Sequence, residues 1–161
     1  KIKFLNKRKY KGELIGDIFV TSRQKLKAIN LDSTLNSSAI DEFLLIFLVA
    51  SKCDGISSFK KLSELNKKES KRLDWGFKIL KMMGIKTEKM KNFGIKIKGN
   101  VDLELNNTYV IKNYLKDHRI FMVSAIAALT FGGEWKIYDT DSFKTSFPTF
   151  LKTLKYLGAK I

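Results

Sequence analysis

The stretch Ile40-Asp41-Glu42-Phe43-Leu44-Leu45-Ile46-Phe47-Leu48-Val49-Ala50 decides how the rest of the chain is read. The whole stretch is about three turns long and after its two acidic residues is apolar at every position, the pattern of a helix buried on all sides rather than of a surface helix with one apolar stripe. Such a helix needs other layers around it, and the flanking sequence supplies them. Upstream, Lys1 to Leu5, Leu14 to Val20 and Leu26 to Leu31 read as strands, with a turn at Lys11-Gly12 and a polar loop from Asp32 to Ser38. Downstream, Gly55 ends a turn and Ile56 to Phe59 is a short strand. Ser63 or Asn66 can cap a second helix from about Lys67 to Met83, where Leu73, Phe77, Leu80 and Met83 share one face and Gly84 closes the last turn. Strands are expected at Ile85 to Met90, Gly94 to Lys98 and about Asn107 to Lys112.

The pattern then recurs. Asp117 opens another apolar helix, Ile120 to Leu129, 76 residues after Asp41; Gly132-Gly133 ends it, and Trp135 to Tyr138 is a strand. Pro148 falls in the first turn of an amphipathic helix from Phe147 to Leu157, Gly158 closes that, and Ala159-Lys160-Ile161 is extended. One unit of alternating helices and strands used twice predicts an α/β (α+β) fold in which helix N-termini can be brought to one side. The division that follows is about 26–112 and 113–161.

Composition narrows the function. The chain has 161 residues with 44% hydrophobic residues, and no apolar run approaches the roughly 18 residues of a membrane span. Lone Cys53 excludes a disulfide framework, and with lone His118 it leaves too few soft ligands for a zinc site, so no metal and an intracellular, cytoplasmic setting are expected. No signal peptide is expected, because Lys1 opens straight into an alternating stretch; a start at Lys inside a strand reads as a chain cut from something longer. The 31 Lys+Arg against 16 Asp+Glu give +15, a field that attracts polyanions without a specific site. The cations are spread along the chain and almost all are Lys, the reading of a solvated surface, so no specific nucleic acid is expected. The arginines, Arg8, Arg23, Arg72 and Arg119, are more informative, since planar bidentate anion recognition is Arg chemistry.

Candidate chemistry gathers at the helix starts. Asp41 opens the first buried helix; Lys68, Glu69 and Arg72 lie in the first turns of the second, with Lys68 and Arg72 at i, i+4; Asp117, His118 and Arg119 open the third. Cations at a helix N-terminus oppose the macrodipole unless an anion is bound there, which points to an anion site containing a carboxylate. From spacing alone, an ordinary solvated helix start with Asp41 and Asp117 as plain N-caps and His118 as a structural residue explains the same residues.

Ile40-Asp41-Glu42, Glu64-Leu65-Asn66-Lys67-Lys68-Glu69-Ser70-Lys71-Arg72-Leu73, Asp117-His118-Arg119-Ile120-Phe121-Met122 and Ser146-Phe147-Pro148-Thr149-Phe150 follow one another in the order and approximate spacing of the C-terminal part of the 5-enolpyruvylshikimate-3-phosphate synthase family. That family carries I-D-E, E-L-R-x-K-E-S-D-R-L, D-H-R-x-A-M and S-[FY]-P-x-F, and Gly12-Glu13-Leu14-Ile15-Gly16-Asp17-Ile18 resembles its G-E-x-x-G-D-I segment. The chain departs from the pattern at Asn66, Lys71 and Leu44, and Thr145 stands where many members have a phosphate-binding Lys, with Lys144 one residue earlier.

The resemblance implies two globular domains, each of three βαβαββ units, of which this chain supplies about two units of one domain; the other domain is absent. It implies transfer of enolpyruvyl from phosphoenolpyruvate to the 5-hydroxyl of shikimate 3-phosphate without metal or organic cofactor, and the remainder of the same enzyme as partner. By matching position, Asp41 binds the shikimate hydroxyls and acts as base, Lys68 contacts the substrates, and Glu69 handles the proton at the pyruvyl methylene. Arg72 and Arg119 clamp the phosphoenolpyruvate carboxylate with His118 beside them, and Lys144 is the candidate for the phosphate. Two other readings stand beside this one: the related enolpyruvyl transferase acting on UDP-N-acetylglucosamine, against which the K-E-S-x-R and D-H-R pair argues, and a non-enzymatic basic binding module.

Overall fold

The computed structural model describes residues 2–21 and 25–161; Lys1, at the head of the first expected strand, and Arg23 lie outside them. Among the described residues the chain runs through β1 (Ile2–Tyr10), β2 (Glu13–Val20), β3 (Leu26–Lys27), α1 (Phe43–Ser51), β4 (Cys53–Asp54), β5 (Ile56–Phe59), α2 (Arg72–Met82), β6 (Lys86–Met90), β7 (Gly94–Lys98), β8 (Leu105–Ile111), α3 (His118–Phe131), β9 (Gly132–Ile137) and α4 (Phe150–Tyr156). Short 3-10 turns fill Ser33–Leu35, Ser63–Lys67 and Ser142–Thr145.

The recurrence in the sequence is a recurrence of topology. β3 pairs parallel with β4, and β8 pairs parallel with β9. Parallel neighbours cannot be joined by a tight turn, so each pair needs a crossover, and the two apolar helices α1 and α3 are those crossovers. After β4 the first unit goes on through β5, α2 and the hairpin β6–β7 to an antiparallel sheet of order β5-β7-β6. Because β8 finds its partner in β9, the pairing puts Leu105–Ile111 with the second unit, whereas the division at 112 assigns them to the first. Tyr109 and Trp135 face each other in this register and stack at 4.8 Å between ring centroids.

One buried cluster runs through both units. Phe43, Leu44, Phe47 and Leu48 of α1 are buried, as are Ile120, Phe121, Val123 and Ala127 of α3. Phe43 and Phe47 meet Phe59 of β5 at 6.1 and 5.4 Å, closing helix onto sheet. Gly76 lets α2 approach α1: a Cβ there would sit 2.8 Å from the Phe47 ring, closer than any real contact. Cys53 is buried with its Sγ 3.4 Å from the Val49 carbonyl, and burial pushes the thiol up, the condition of a core residue rather than of a nucleophile.

Several helix starts differ from the sequence expectation. α2 begins at Arg72, not Lys67: Ser63–Lys67 is a separate 3-10 turn, the Lys68 backbone is extended (φ −82°, ψ −172°), and the Arg72 N–H donates to the Ser70 carbonyl at 2.8 Å. Lys68 and Arg72 are therefore not i, i+4 neighbours on one helix. Asn66 does serve the start of α2, but across the intervening loop, its Oδ1 accepting from the N–H groups of Leu73 (2.9 Å) and Asp74 (3.3 Å). Pro148 lies in the turn before α4, and Ala159–Ile161 takes up no strand pairing.

β1 and β2 form a two-stranded antiparallel ribbon, bulged between Leu5 and Arg8. Alternation puts Leu14, Gly16, Ile18 and Val20 on one face, beside Ile2 and Phe4 through the pairs Ile2–Val20 and Phe4–Ile18, and the large apolar side chains of that face are all exposed.

Candidate active site

The charged cluster is assembled from four places in the chain: the turn before α1, the loop between the second 3-10 turn and α2, and the first residues of α2 and of α3. Arg72, the first residue of α2, is only 2% exposed although it is a full cation. A buried guanidinium is stable only when its donors are taken, and three carboxylates take them. Nη1 donates to Asp41 Oδ1 and Nε to Asp117 Oδ2, both at 2.9 Å, while Nη2 pairs with Glu69 Oε2.

Asp41 is the other hub. It sits just ahead of α1, whose N-cap Glu42 makes no side-chain cap, so the Asp41 carboxylate is free to turn toward the cations. Oδ1 receives Arg72 and lies 3.4 Å from Lys68 Nζ; Oδ2 lies 3.5 Å from Arg119 Nη2. Arg119 also donates through Nη1 to the Asp41 carbonyl (2.8 Å) and to Glu42 Oε1 (3.3 Å). Burial by itself would push the Asp41 carboxyl up, but Arg119, Lys68 and Arg72 outweigh it and hold the group below the ordinary carboxylate range. It is ionised at neutral pH.

Asp117 is a true N-cap of α3, its Oδ1 accepting from the Arg119 N–H at 2.9 Å, as its position in the sequence predicts. Its second oxygen does what no local reading anticipates: Oδ2 accepts from Ser70 Oγ at 2.8 Å and from Arg72 Nε, joining residues 47 and 45 positions away. Burial works against this carboxylate, and the hydrogen bonds from Arg72 and Ser70, the Arg72 charge and the Arg119 N–H together still hold it low.

Of the expected site residues, Asp41, Lys68, Glu69, Arg72 and Arg119 come together. His118 is half-buried at the first position of α3, beside the cluster in sequence. Lys144 is exposed on the last 3-10 turn and pairs with Asp141, not with any member of the cluster. Ser70 and Glu42 belong to the network and are passed over by sequence reasoning, although both stand inside quoted motifs. Among the described residues no group of three His, Cys, Asp or Glu side chains is placed to hold a metal ion.

An EPSP synthase from Acinetobacter baumannii superposes on this chain with a TM-score of 0.86 at 31% identity, covering 96% of this chain and 35% of that one. The fold class is therefore that of an α/β protein of repeated units, of the EPSP synthase kind. The family model described as EPSP synthase (3-phosphoshikimate 1-carboxyvinyltransferase) matches residues 14–154, and the chain belongs to that family. The 3-phosphoshikimate 1-carboxyvinyltransferase of Ruthia magnifica subsp. Calyptogena magnifica is 38% identical over 156 residues, 97% of this chain and 35% of that protein. That of Thermodesulfovibrio yellowstonii is 36% identical over 146 residues, 91% of this chain and 33% of the relative. The chain thus spans about a third of the length of the curated relatives it matches.

Proposed function

We propose that this chain supplies one wall of the active site of an enzyme transferring enolpyruvyl from phosphoenolpyruvate to the 5-hydroxyl of shikimate 3-phosphate. The observation that carries the reading is the bracketing of one carboxylate, Asp41, by Arg72 and Arg119 at the starts of α2 and α3 and by Lys68 in the loop before α2. In this reading Arg72 and Arg119 grip the phosphoenolpyruvate carboxylate through their planar forks, with His118 beside them. Once the substrate carboxylate has displaced it from Arg72, Glu69 relays a proton from solvent to the methylene carbon, C2 takes on cationic character, and the 5-hydroxyl oxygen forms its bond to C2 while its proton passes to Asp41. Loss of phosphate from the adduct, with return of a methyl proton to Glu69, restores the double bond in the product. Lys68, beside Asp41, binds shikimate 3-phosphate. Lys144, paired with Asp141, is left out.

The two repeat units, divided between Lys98 and Leu105, would face a further domain lying in the part of the relatives' length that this chain does not span. Among the described residues no helix is long and apolar enough to cross a membrane; the cytoplasm is the setting this reading implies. Because both reactants must be held together and proximity is worth several orders of magnitude in rate, the 161 residues alone are expected not to turn over, whereas the intact enzyme releases phosphate from phosphoenolpyruvate only when shikimate 3-phosphate is present. Phosphate release by the intact enzyme that ignores shikimate 3-phosphate would overturn the reading.

A further inference from the structure

We propose that Asp117 is a positioning residue for phosphoenolpyruvate: it fixes Arg72 through Nε and Arg119 through the start of α3, so that both guanidinium forks face one substrate carboxylate. The inference rests on the function proposed above. The three partners of Arg72 are not equivalent. Asp41 and Glu69 hold its two terminal nitrogens, and both are open to solvent, at 38% and 56% side-chain exposure. Asp117, which holds Nε, is fully buried. A carboxylate ligand approaching from solvent can replace Asp41 and Glu69 at Nη1 and Nη2, the edge of a guanidinium suited to a bidentate carboxylate, without disturbing Nε. The buried contact is the hinge pin and the exposed contacts are the exchangeable ones.

The same carboxylate ties together two parts that the chain itself leaves apart. Oδ2 holds Ser70 and Arg72 from the first repeat unit; Oδ1 caps α3 in the second unit at the N–H of Arg119. Arg119 then reaches back to the carbonyl and carboxylate of Asp41. If the Asp117 contact is lost, Arg72 keeps only its exchangeable partners, nothing buried fixes Nε once a substrate carboxylate displaces them, and the two forks no longer share a target.

The test uses the intact enzyme with Asp117→Asn, in which the amide oxygen can keep the cap on Arg119 while the amide nitrogen sets a donor against Arg72 Nε, and Asp117→Ser, which keeps the cap and removes the arm. Binding of phosphoenolpyruvate and, separately, of shikimate 3-phosphate is measured by calorimetry beside thermal melting. Misplacing a positioning contact costs roughly 10- to 100-fold, and that loss is expected in phosphoenolpyruvate affinity, with shikimate 3-phosphate affinity changed less than about threefold. A role in folding alone predicts a lower melting temperature with both affinities equally reduced or both intact, and either result overturns the proposal. Should neither variant be recovered folded, Ser70→Ala reads the same arm: about a threefold or greater loss for phosphoenolpyruvate only is expected, and no loss overturns the proposal. Failure of the unsubstituted enzyme to bind phosphoenolpyruvate at all would instead count against the proposed function.

Discussion

Replacing Glu69 by Gln in the intact enzyme separates two effects that act through the same atom. Glu69 lies on Arg72 Nη2, at an edge of the guanidinium that the proposed function assigns to the substrate carboxylate. Its charge therefore competes with phosphoenolpyruvate for Arg72, and its proton is needed afterwards. The competition is modest: Arg72 is only 2% exposed, but the Glu69 side chain is 56% exposed and solvent screens the pair, which leaves it on the order of 1 kcal/mol. At about 1.4 kcal/mol per factor of ten, removing it should tighten phosphoenolpyruvate binding by up to about fivefold. Gln cannot deliver the proton, so turnover should fall on the order of 100-fold or more. Calorimetric titration with each substrate, joined to single-turnover measurement of phosphate release, reads both quantities. Phosphoenolpyruvate affinity weakened tenfold, or turnover kept within about threefold of the unsubstituted enzyme, would refute the reasoning, since the first makes Glu69 an attractive contact for the substrate and the second removes it from proton transfer.

Arg119→Lys keeps the charge and loses the fork, so phosphoenolpyruvate affinity should fall much more than shikimate 3-phosphate affinity in paired titrations of the intact enzyme. The depressed Asp117 carboxyl gives stability that is fully present above the ordinary carboxylate range and is lost as pH falls through the folded-state value. Denaturant melts of the chain from about pH 5 downward should therefore show a steeper loss than those of Asp117→Asn, and parallel curves would deny Asp117 that contribution. Gly76→Ala drives a methyl into the Phe47 ring and should destabilise the chain by about 1–3 kcal/mol in urea melts, with the slope against urea unchanged.

The helices that cross between parallel strands were legible because an unbroken apolar run such as Phe43 to Ala50 needs a core to lie against, but the burial on every side expected of it is not found: Leu45 and Val49 are 46% and 50% exposed. The gathering of Asp41, Arg72 and Arg119 was legible only through matched motifs, since no local rule brings residues 41, 72 and 119 together. Where α2 begins was not legible: Glu64 to Arg72 is mostly good helix formers, yet Lys68 is extended and Ser70 bonds Asp117, a partner 47 residues away that no local rule supplies. The same contact hid half the work of Asp117, because an N-cap Asp looks complete once one oxygen is used. The alternative of Asp41 as a plain cap fails for the converse reason: α1 starts two residues later, at Phe43, and the carboxylate answers to cations from elsewhere in the chain.

The β1–β2 ribbon sets the colloidal behaviour of the 161 residues. Its apolar face offers Ile2, Phe4, Leu14, Ile18 and Val20 to any surface that meets it, and among the described residues its outer edges are unpaired, which is a template for strand addition between molecules. What opposes such contact is the charge of +15 carried by every copy. That repulsion reaches about 30 Å at 0.01 M salt but only about 3 Å at 1 M, so two ribbons kept apart in dilute buffer can touch in concentrated salt. Salt that would ordinarily be added to strip polyanions from a basic protein should here drive self-association, visible as a light-scattering mass that climbs with ionic strength and falls back on dilution.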